Sequence, residues 1–178
     1  LSMTSCGAKS RQASGDSGSA AVAVSVTDTA SAIVPVYAKG YTVKYLPGNV
    51  RLVDIRDPQK EEGNTFRYAL VPKGAKPAGI PDGYTVIETP VKHAICMTSL
   101  QLSNFIRLDA CDYVAGITST RHLFNKEMKE RLKSGKTSKI GIEGNFDNEV
   151  IMSINPDVIF ISPFKRGGYD AMRETGIP

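Results

Sequence analysis

Short apolar runs alternate with amphipathic segments in the second half of the chain, and this alternation constrains the fold more than any other feature. Three runs are mainly apolar along their whole length, which is typical of strands buried on both faces. They are Ala94–Met97, Val114–Thr118 and Val158–Ile161. Leu102 and Phe105 lie at helical spacing after the first run. Strands that alternate with helices predict an α/β fold with a parallel, doubly wound sheet.

Two further segments predict helices between these strands. Phe124, Met128 and Leu132 recur every four residues and predict the apolar face of one helix. Glu127 and Arg131 lie one turn apart on the same helix and suit an ion pair. A glycine shortly after this pattern supplies a stop signal.

The next helix is predicted between a capping residue and a turn. Asp147 can cap its first turn, and Val150, Ile151 and Ile154 form its apolar face. The Asn-Pro-Asp turn at 155–157 ends it, and the third apolar run follows directly.

Residues 41–92 have a different pattern, in which apolar and polar residues alternate with a period of two. Tyr41–Leu46 and Val50–Ile55 flank a Pro-Gly-Asn turn, which predicts a β-hairpin. Phe66–Val71 and Tyr84–Val91 continue the pattern around a segment rich in Gly and Pro. We therefore predict a small antiparallel β unit ahead of the α/β part.

The N-terminus has the composition of a lipid-anchored tether. Met3–Cys6 resembles a bacterial lipobox, in which small residues precede the cysteine that is acylated, so Cys6 is the predicted anchor. Gly7–Ala32 consists mostly of small and polar residues that cannot bury a core. Such a tether has a reach of roughly 30 Å. No window approaches the roughly 18 to 20 apolar residues that span a bilayer, so we expect membrane contact only through the lipid.

These patterns divide the chain into three parts. We predict a lipobox remnant and tether over residues 1–35, a β-rich extension over 36–92, and an α/β lobe over 93–178. The hydrophobic fraction of 41% is sufficient for the last two parts to build a core.

Charge and motif spacing argue against nucleic acid and nucleotide partners. The 22 basic and 18 acidic residues include no contiguous Lys/Arg block of the kind that tracks a phosphate backbone. Gly135–Thr137 lacks the glycine that a phosphate-binding loop needs five positions earlier, where Glu130 stands. The first apolar strand does not lead into a Gly-x-Gly-x-x-Gly turn.

Metal-ligating and nucleophilic patterns are also weak. With two His and no dense carboxylate group, we expect no metal site built by the protein and no cofactor. Ser162 and Lys165 have a Ser-x-x-Lys spacing, but the serine ends a strand and precedes a proline. Cys96 and Cys111 suit either a disulfide or two reduced, buried thiols, and we favour the thiols.

The stretch Lys139–Phe160 resembles the signature of the cobalamin and ferric-siderophore binding proteins that serve ATP-driven importers. In that family a Val-Gly pair precedes an Asn-Leu-Glu helix, a Lys-Pro-Asp turn and an apolar strand. Met97–Ser99 and Asp112–Thr118 are similar to the family's first loop and second strand. The segment 41–92 is similar to an N-terminal extension of Bacteroidetes-type members. The resemblance covers residues 40–178.

The resemblance implies a fold, a function and a location. The α/β part would be the N-terminal lobe of a two-lobe substrate-binding protein, and the chain would be a truncated piece without the second lobe. A monomer in the periplasm or cell envelope would capture a ferric siderophore, cobalamin or haem and deliver it to a membrane permease. No enzymatic activity is implied, and metal enters only within the bound chelate.

Ligand contacts are predicted in four loops, because ligands of open α/β sheets lie at the carboxyl ends of the strands. The residues that the resemblance implies as ligand contacts are Thr98, Ser99, Ser119, Thr120, Arg121, His122, Glu143, Asn145, Lys165 and Arg166. The last two belong to a loop after Ser162 that we expect to be more peripheral. Thr98–Ser99 replaces the family's usual Ser-Pro, and Ser103 stands where the family has a helix Glu.

Glu149 matches the acidic residue with which the family docks on permease arginines. On a helix it lies about 150° away from the predicted apolar face and therefore points into solvent. A first-turn glutamate also favours the helix dipole without any partner.

Other interpretations stay open from the sequence. Arg121 can be a solvated cation and His122 a helix-capping residue. The same alternation of strands and helices occurs in flavodoxin-like hydrolases and transferases, although no nucleophile with a base is visible here. A surface adhesin or structural lipoprotein is a third class.

Overall fold

Two β-sheets correspond to the two parts that the sequence predicts. The computed structural model of the protein describes residues 32–33, 35–57, 65–118, 120–142, 145–162 and 169–178. An α/β class with a parallel sheet, preceded by a small β-rich part, is confirmed.

The β-rich part is a five-stranded sheet whose strands follow chain order. Its strands are β1 (Ala32–Ile33), β2 (Tyr41–Leu46), β3 (Val50–Arg56), β4 (Thr65–Pro72) and β5 (Thr85–Thr89). The predicted hairpin is confirmed, because β2 and β3 pair antiparallel around a short 3-10 turn at Pro47–Asn49. β1 begins at Ala32, inside the segment predicted as tether, and pairs with β2.

The prediction of an entirely antiparallel unit is wrong at its last pair. β4 and β5 are parallel, with Tyr68 opposite Thr85 and Pro72 opposite Thr89. Parallel neighbours need a crossover of about a dozen residues. The Gly- and Pro-rich segment 73–84 supplies that length, which a tight hairpin turn would not use.

The second sheet has four parallel strands in the order β11-β6-β7-β8. They are β6 (Ala94–Cys96), β7 (Val114–Ile117), β8 (Ser138–Lys139) and β11 (Val158–Phe160). A two-rung hairpin of β9 (Gly141–Ile142) and β10 (Asn145–Phe146) follows β8. A 3-10 turn at Cys111–Tyr113 leads into β7.

Helices cover both faces of the parallel sheet. They are α1 (Ser99–Arg107), α2 (Lys126–Lys133), α3 (Asn148–Ile154) and the short α4 (Asp170–Arg173). Leu102 of α1 and Met128 of α2 are buried in one cluster with Ile117. Ile151 of α3 and Met172 of α4 are buried in another cluster with Ile95, Ile140 and Ile159. The sheet is therefore the middle layer of three.

Two details predicted for α2 are wrong. The helix begins at Lys126 behind the cap of Asn125, whose side chain accepts a hydrogen bond from the Met128 N–H, so Phe124 lies outside it and is exposed. Arg131 does not form the predicted ion pair with Glu127. Its guanidinium bonds the carboxylate and the main-chain carbonyl of Asp112, because that side chain turns back toward the loop before β7.

The caps predicted for α3 are confirmed. The Asp147 carboxylate accepts a hydrogen bond from the Val150 N–H at 3.0 Å, and Asn155 ends the helix in the left-handed region with φ +48°. Val150 and Ile154 pack against the buried Ile151 cluster, as the periodicity predicts.

A small apolar cluster joins the two sheets. Ile87 of β5, Ala94 of β6 and Val158 of β11 form it, and Tyr68 and Leu70 of β4 pack against it. Their burial holds the β-rich sheet against the amino ends of β6 and β11.

Asp157 ties the amino ends of β6 and β11 together. Its carboxylate accepts hydrogen bonds from the N–H groups of Lys92 (2.7 Å) and His93 (2.8 Å). Burial alone would raise the pKa of Asp157, but these two bonds and the nearby His93 and Lys73 lower the pKa below its ordinary value. The carboxylate form is thus preferred in the folded state.

Asp157→Asn is expected to lower the free energy of unfolding by about 1 kcal/mol at neutral pH, since a charged acceptor is lost at a site with 40% side-chain exposure. A lowered pKa contributes stability above the unfolded-state value and loses it as the pH falls through the folded-state value. Urea unfolding from neutral to acidic pH should therefore show that the free energies of unfolding of the wild type and the variant become equal in acid. Asp82→Asn, at an exposed turn, is the control. A constant difference at every pH would contradict this assignment.

Gly141 sets the path of the chain after β8. It has φ +94°, and a Cβ there would lie 2.5 Å from the Asn145 carbonyl oxygen and 3.0 Å from the Asp147 nitrogen. Both neighbours are main-chain atoms, so they cannot move aside as a side chain could. The close approach of Asn145 and Asp147 to position 141 therefore requires glycine.

Gly141→Ala should destabilise the protein by more than about 2 kcal/mol, because left-handed strain and a main-chain clash add together. Gly135→Ala is the matched control: it also has positive φ (+75°), but nothing lies within 4 Å of its added Cβ. It should cost only about 1 kcal/mol. Urea unfolding of both variants measures the difference, and equal losses would show that the clash is relieved.

Candidate functional site

Hydrogen bonds hold the carboxyl ends of the four parallel strands in line. The Met97 N–H donates to the Phe160 carbonyl at 3.1 Å, which joins β6 to β11. The buried Thr118 hydroxyl donates to the Met97 carbonyl at 2.9 Å, which joins β7 to β6. The Ile140 N–H donates to the Ile117 carbonyl at 2.9 Å beyond β8. The loops after these strands consequently share one edge of the sheet.

The strand order makes the crevice between β6 and β11 the topological switch point. The chain runs outward from β6 to β7 and β8, then returns to the other side of β6 as β11. Ligands of open α/β sheets bind at such a point. Because β11 pairs directly with β6, Ser162, just after the carboxyl end of β11, lies at the switch point. The rest of the loop that we predicted to be more peripheral, residues 163–166, lies outside the described residues.

Thr98 and Ser99 lie at the start of α1, next to the switch point. The Thr98 hydroxyl accepts a hydrogen bond from the Gln101 N–H, and the Gln101 side chain accepts one from the Thr98 N–H. This capping box uses one acceptor site of the Thr98 hydroxyl, and the hydroxyl hydrogen stays available as a donor to a ligand. Ser99 is exposed in the first turn.

Thr120, Arg121 and His122 lie in the turn between β7 and α2. Arg121 and His122 are exposed, and Thr120 is half-buried with its carbonyl accepting from the Leu123 N–H at 3.2 Å. β7 is the neighbour of β6, so the fold brings this turn beside the Thr98 loop. Ser119 lies outside the described residues.

Asn145 is exposed at the start of β10, where it pairs with Ile142. It follows β8, the strand two places from β6, and is therefore farther from the switch point than the other described candidates. With Ser119, five predicted residues lie outside the described part of the chain, the others being Cys6, Glu143, Lys165 and Arg166.

Sequence reasoning missed two contacts that shape this edge. Thr118 was interpreted only as the end of a strand, although a buried hydroxyl there implies a hydrogen-bond partner. The rings of Phe146 and Tyr169 stack 5.6 Å apart with an interplanar angle of 16°, which ties β10 to the start of α4. No local signal could pair two aromatic residues so far apart in the chain.

Both described cysteines are free and buried, as we favoured from the sequence. Burial raises the pKa of Cys96 to about 12. Burial and the carboxylate of Glu127 also raise the pKa of Cys111, although Arg131 opposes this. Both side chains are thus protonated thiols at neutral pH, the unreactive form.

Glu149 is exposed in the first turn of α3, with Ile151 buried on the opposite side of that helix. α3 lies on the other face of the sheet from α1 and α2. The position predicted to dock a permease is thus accessible and separate from the Thr98 loop.

A solvent-open groove of about 590 Å³ lies between the β-rich sheet and β11. Phe66, Tyr68 and Ile87 line one wall, and Phe160 and Ser162 lie on the other. None of the described ligand candidates lines it. The groove is mainly apolar, and Arg56, Asp57 and Arg173 also line it. We do not assign the chelate to it, because the ligand residues predicted from the sequence lie elsewhere.

Within the described ranges, no three His, Cys, Asp or Glu residues are grouped closely enough to hold a metal ion. The helices of the same part of the chain include none that is long and apolar enough to cross a bilayer.

In comparisons with known proteins, no protein-family model matches this chain, and no curated protein matches it significantly.

Proposed function

We propose that this chain belongs to the substrate-binding component of an ATP-driven importer, which captures a metal chelate and delivers it to a membrane permease. The chelate is a ferric siderophore, cobalamin or haem, and the protein itself contributes no metal ligand. In this proposal the α/β part is the first of two lobes, and the ligand lies between its carboxyl edge and the second lobe.

One observation carries the proposal. The loops containing Thr98 and Arg121 follow neighbouring strands, and the first of them borders the switch point between β6 and β11. In open α/β sheets this is where ligands bind, whatever their chemistry. The sequence resemblance to chelate-binding proteins involves the same loops.

The chemistry of this edge suits an anionic, oxygen-rich ligand. Arg121 offers a guanidinium that can pair with two carboxylate or phenolate oxygens. Thr98 and Ser99 offer hydroxyl donors at the amino end of α1, where the helix dipole favours negative charge. A chelate brings its own metal, so hydroxyl and guanidinium donors are sufficient for recognition.

The remaining parts of the proposal concern location. Cys6 would carry the lipid anchor, and the Gly- and Ser-rich segment after it would hold a monomeric domain above a membrane in the periplasm or cell envelope. Glu149 would meet permease arginines from α3 while the ligand stays at the carboxyl edge.

Arg121→Gln should lower the affinity for an anionic ferric chelate by about 10- to 100-fold, because a charge-assisted bidentate contact is lost. Arg107→Gln is the matched control, since Arg107 is exposed in the last turn of α1, at the opposite end of that helix. Tyrosine fluorescence is suited to the titration, because the chain has seven Tyr and no Trp. Ferric chelates, cobalamin and haem form the panel.

Two results would contradict the binding proposal. One is an absence of saturable binding across the whole panel by the full-length natural protein. The other is an equal loss of affinity in the Arg107 and Arg121 variants, which would indicate a nonspecific effect of net charge.

Glu149→Arg in the full-length protein should leave chelate affinity unchanged and strongly reduce uptake into cells or proteoliposomes. The reversed charge would face permease arginines, and like charges across an interface cost several kcal/mol. Stability should change by only about 0.3 to 1 kcal/mol through the helix dipole. Glu88→Arg, exposed on β5, is the control for uptake.

Normal uptake by the Glu149 variant would show that Glu149 does not dock the permease and that its charge acts only on the helix dipole. A collapse of chelate affinity would instead place the ligand on α3 and overturn the assignment of the cleft.

A further inference from the structure

The positive charge of this protein is concentrated in one segment. Between Arg121 and Lys139 there are seven Lys and Arg residues and two Glu. The whole chain has 22 basic and 18 acidic residues, so everything outside this segment carries 15 basic and 16 acidic residues. The net charge of +4 is therefore a property of α2 and its two flanking turns.

Folding places three of these lysines on one side of α2. At 100° per residue, Lys126, Lys129 and Lys133 fall within about 60° of one another. All three are exposed, whereas Met128 is fully buried on the opposite side. We call these three residues the lysine face. Lys136 and Lys139, both exposed, continue the positive charge beyond the helix.

The charged neighbours of the lysine face reduce its potential only partly. Arg131 turns away to bond Asp112, and Glu127 lies on the same flank beside Cys111. Glu130 is the acidic residue of α2 nearest to the lysine face by helical position. A surplus of cations thus points outward from one convex surface.

An exposed aromatic ring borders this surface. Phe124 is 79% exposed, and the Lys129 ammonium lies 5.9 Å from its ring centroid. The ring buries little apolar area in the described structure, although the hydrophobic effect favours its burial. Apolar side chains next to lysines are typical of protein surfaces that lie in the headgroup region of a bilayer.

We propose that the lysine face and Phe124 form a docking surface for an anionic phospholipid bilayer. The lysines would contact lipid phosphates, and Phe124 would enter the headgroup region. Charge complementarity selects an anionic partner. A protruding phenyl ring beside lysines favours a lipid surface, which offers anionic headgroups for the lysines and an apolar layer for the ring.

This surface adds to the proposed function but uses different residues. A lipid on Cys6 would fix only the end of a flexible tether, whereas a basic surface can hold the folded domain itself against the bilayer. α2 and α3 cover opposite faces of the sheet, so contact through α2 turns Glu149 away from the bilayer. The lipid-bound orientation would then be a resting state that precedes permease docking.

The experiment measures flotation of the unlipidated 178-residue chain with vesicles of phosphatidylglycerol and phosphatidylcholine. The variant Lys126→Gln/Lys129→Gln/Lys133→Gln should bind about 100-fold more weakly, at roughly fivefold per lysine. Phe124→Ser should weaken binding less and leave its salt dependence intact. The control Lys39→Gln/Lys44→Gln/Lys76→Gln removes the same charge from exposed sites of the β-rich part and should bind like the wild type.

Binding should require phosphatidylglycerol and should fall steeply at high salt. Failure of the wild type to bind anionic vesicles would overturn the proposal, and so would equal losses in the two triple variants. Tighter binding to duplex DNA than to vesicles would assign the surface to nucleic acid instead. Chelate affinity is measured in parallel and should be unchanged in every variant, which separates this proposal from the proposed function.

Discussion

The α/β part of this protein depends on one buried strand, β6. Ala94 and Ile95 are completely buried, and β6 is hydrogen-bonded on both sides, to β11 and β7. Each face of the sheet carries its own apolar cluster, with Cys96 in one and Ile95 in the other. Because main-chain groups of β6 are paired along both edges, the carboxyl ends of β11, β6 and β7 have fixed relative positions. The candidate ligand site is a consequence of that pairing.

The two helical layers separate three surfaces that could have different roles. The carboxyl edge presents hydroxyl and guanidinium groups, α3 presents Glu149, and α2 presents the lysine face. A single rigid sheet between these layers keeps the surfaces apart while binding on one need not disturb another. Under the proposed function, this separation would let one chain hold a ligand, remain near a membrane and meet a permease in turn.

Local signals in the sequence predicted local structure well. The sequence correctly predicted the hairpin around Pro47–Asn49, the Asp147 cap and the buried strands. Each of these depends on residues within one turn or one strand. The errors came from competing interactions. Asn125 caps α2 after Phe124 and excludes it from the helix, and Asp112 takes Arg131 away from Glu127. Helical periodicity in the sequence cannot show which of two possible partners a side chain contacts.

By itself, the sequence determined the alternation of strands and helices, the β-rich extension and the residue types available at each strand end. Tertiary structure decided the strand order, the parallel pairing of β4 with β5 and the place of the carboxyl end of β11 beside that of β6. The physical reason is the sequence separation between the residues that interact. Helix caps and turns are formed between residues close in the chain, whereas pairing β11 with β6 and stacking Phe146 on Tyr169 depend on which distant surfaces can be buried together.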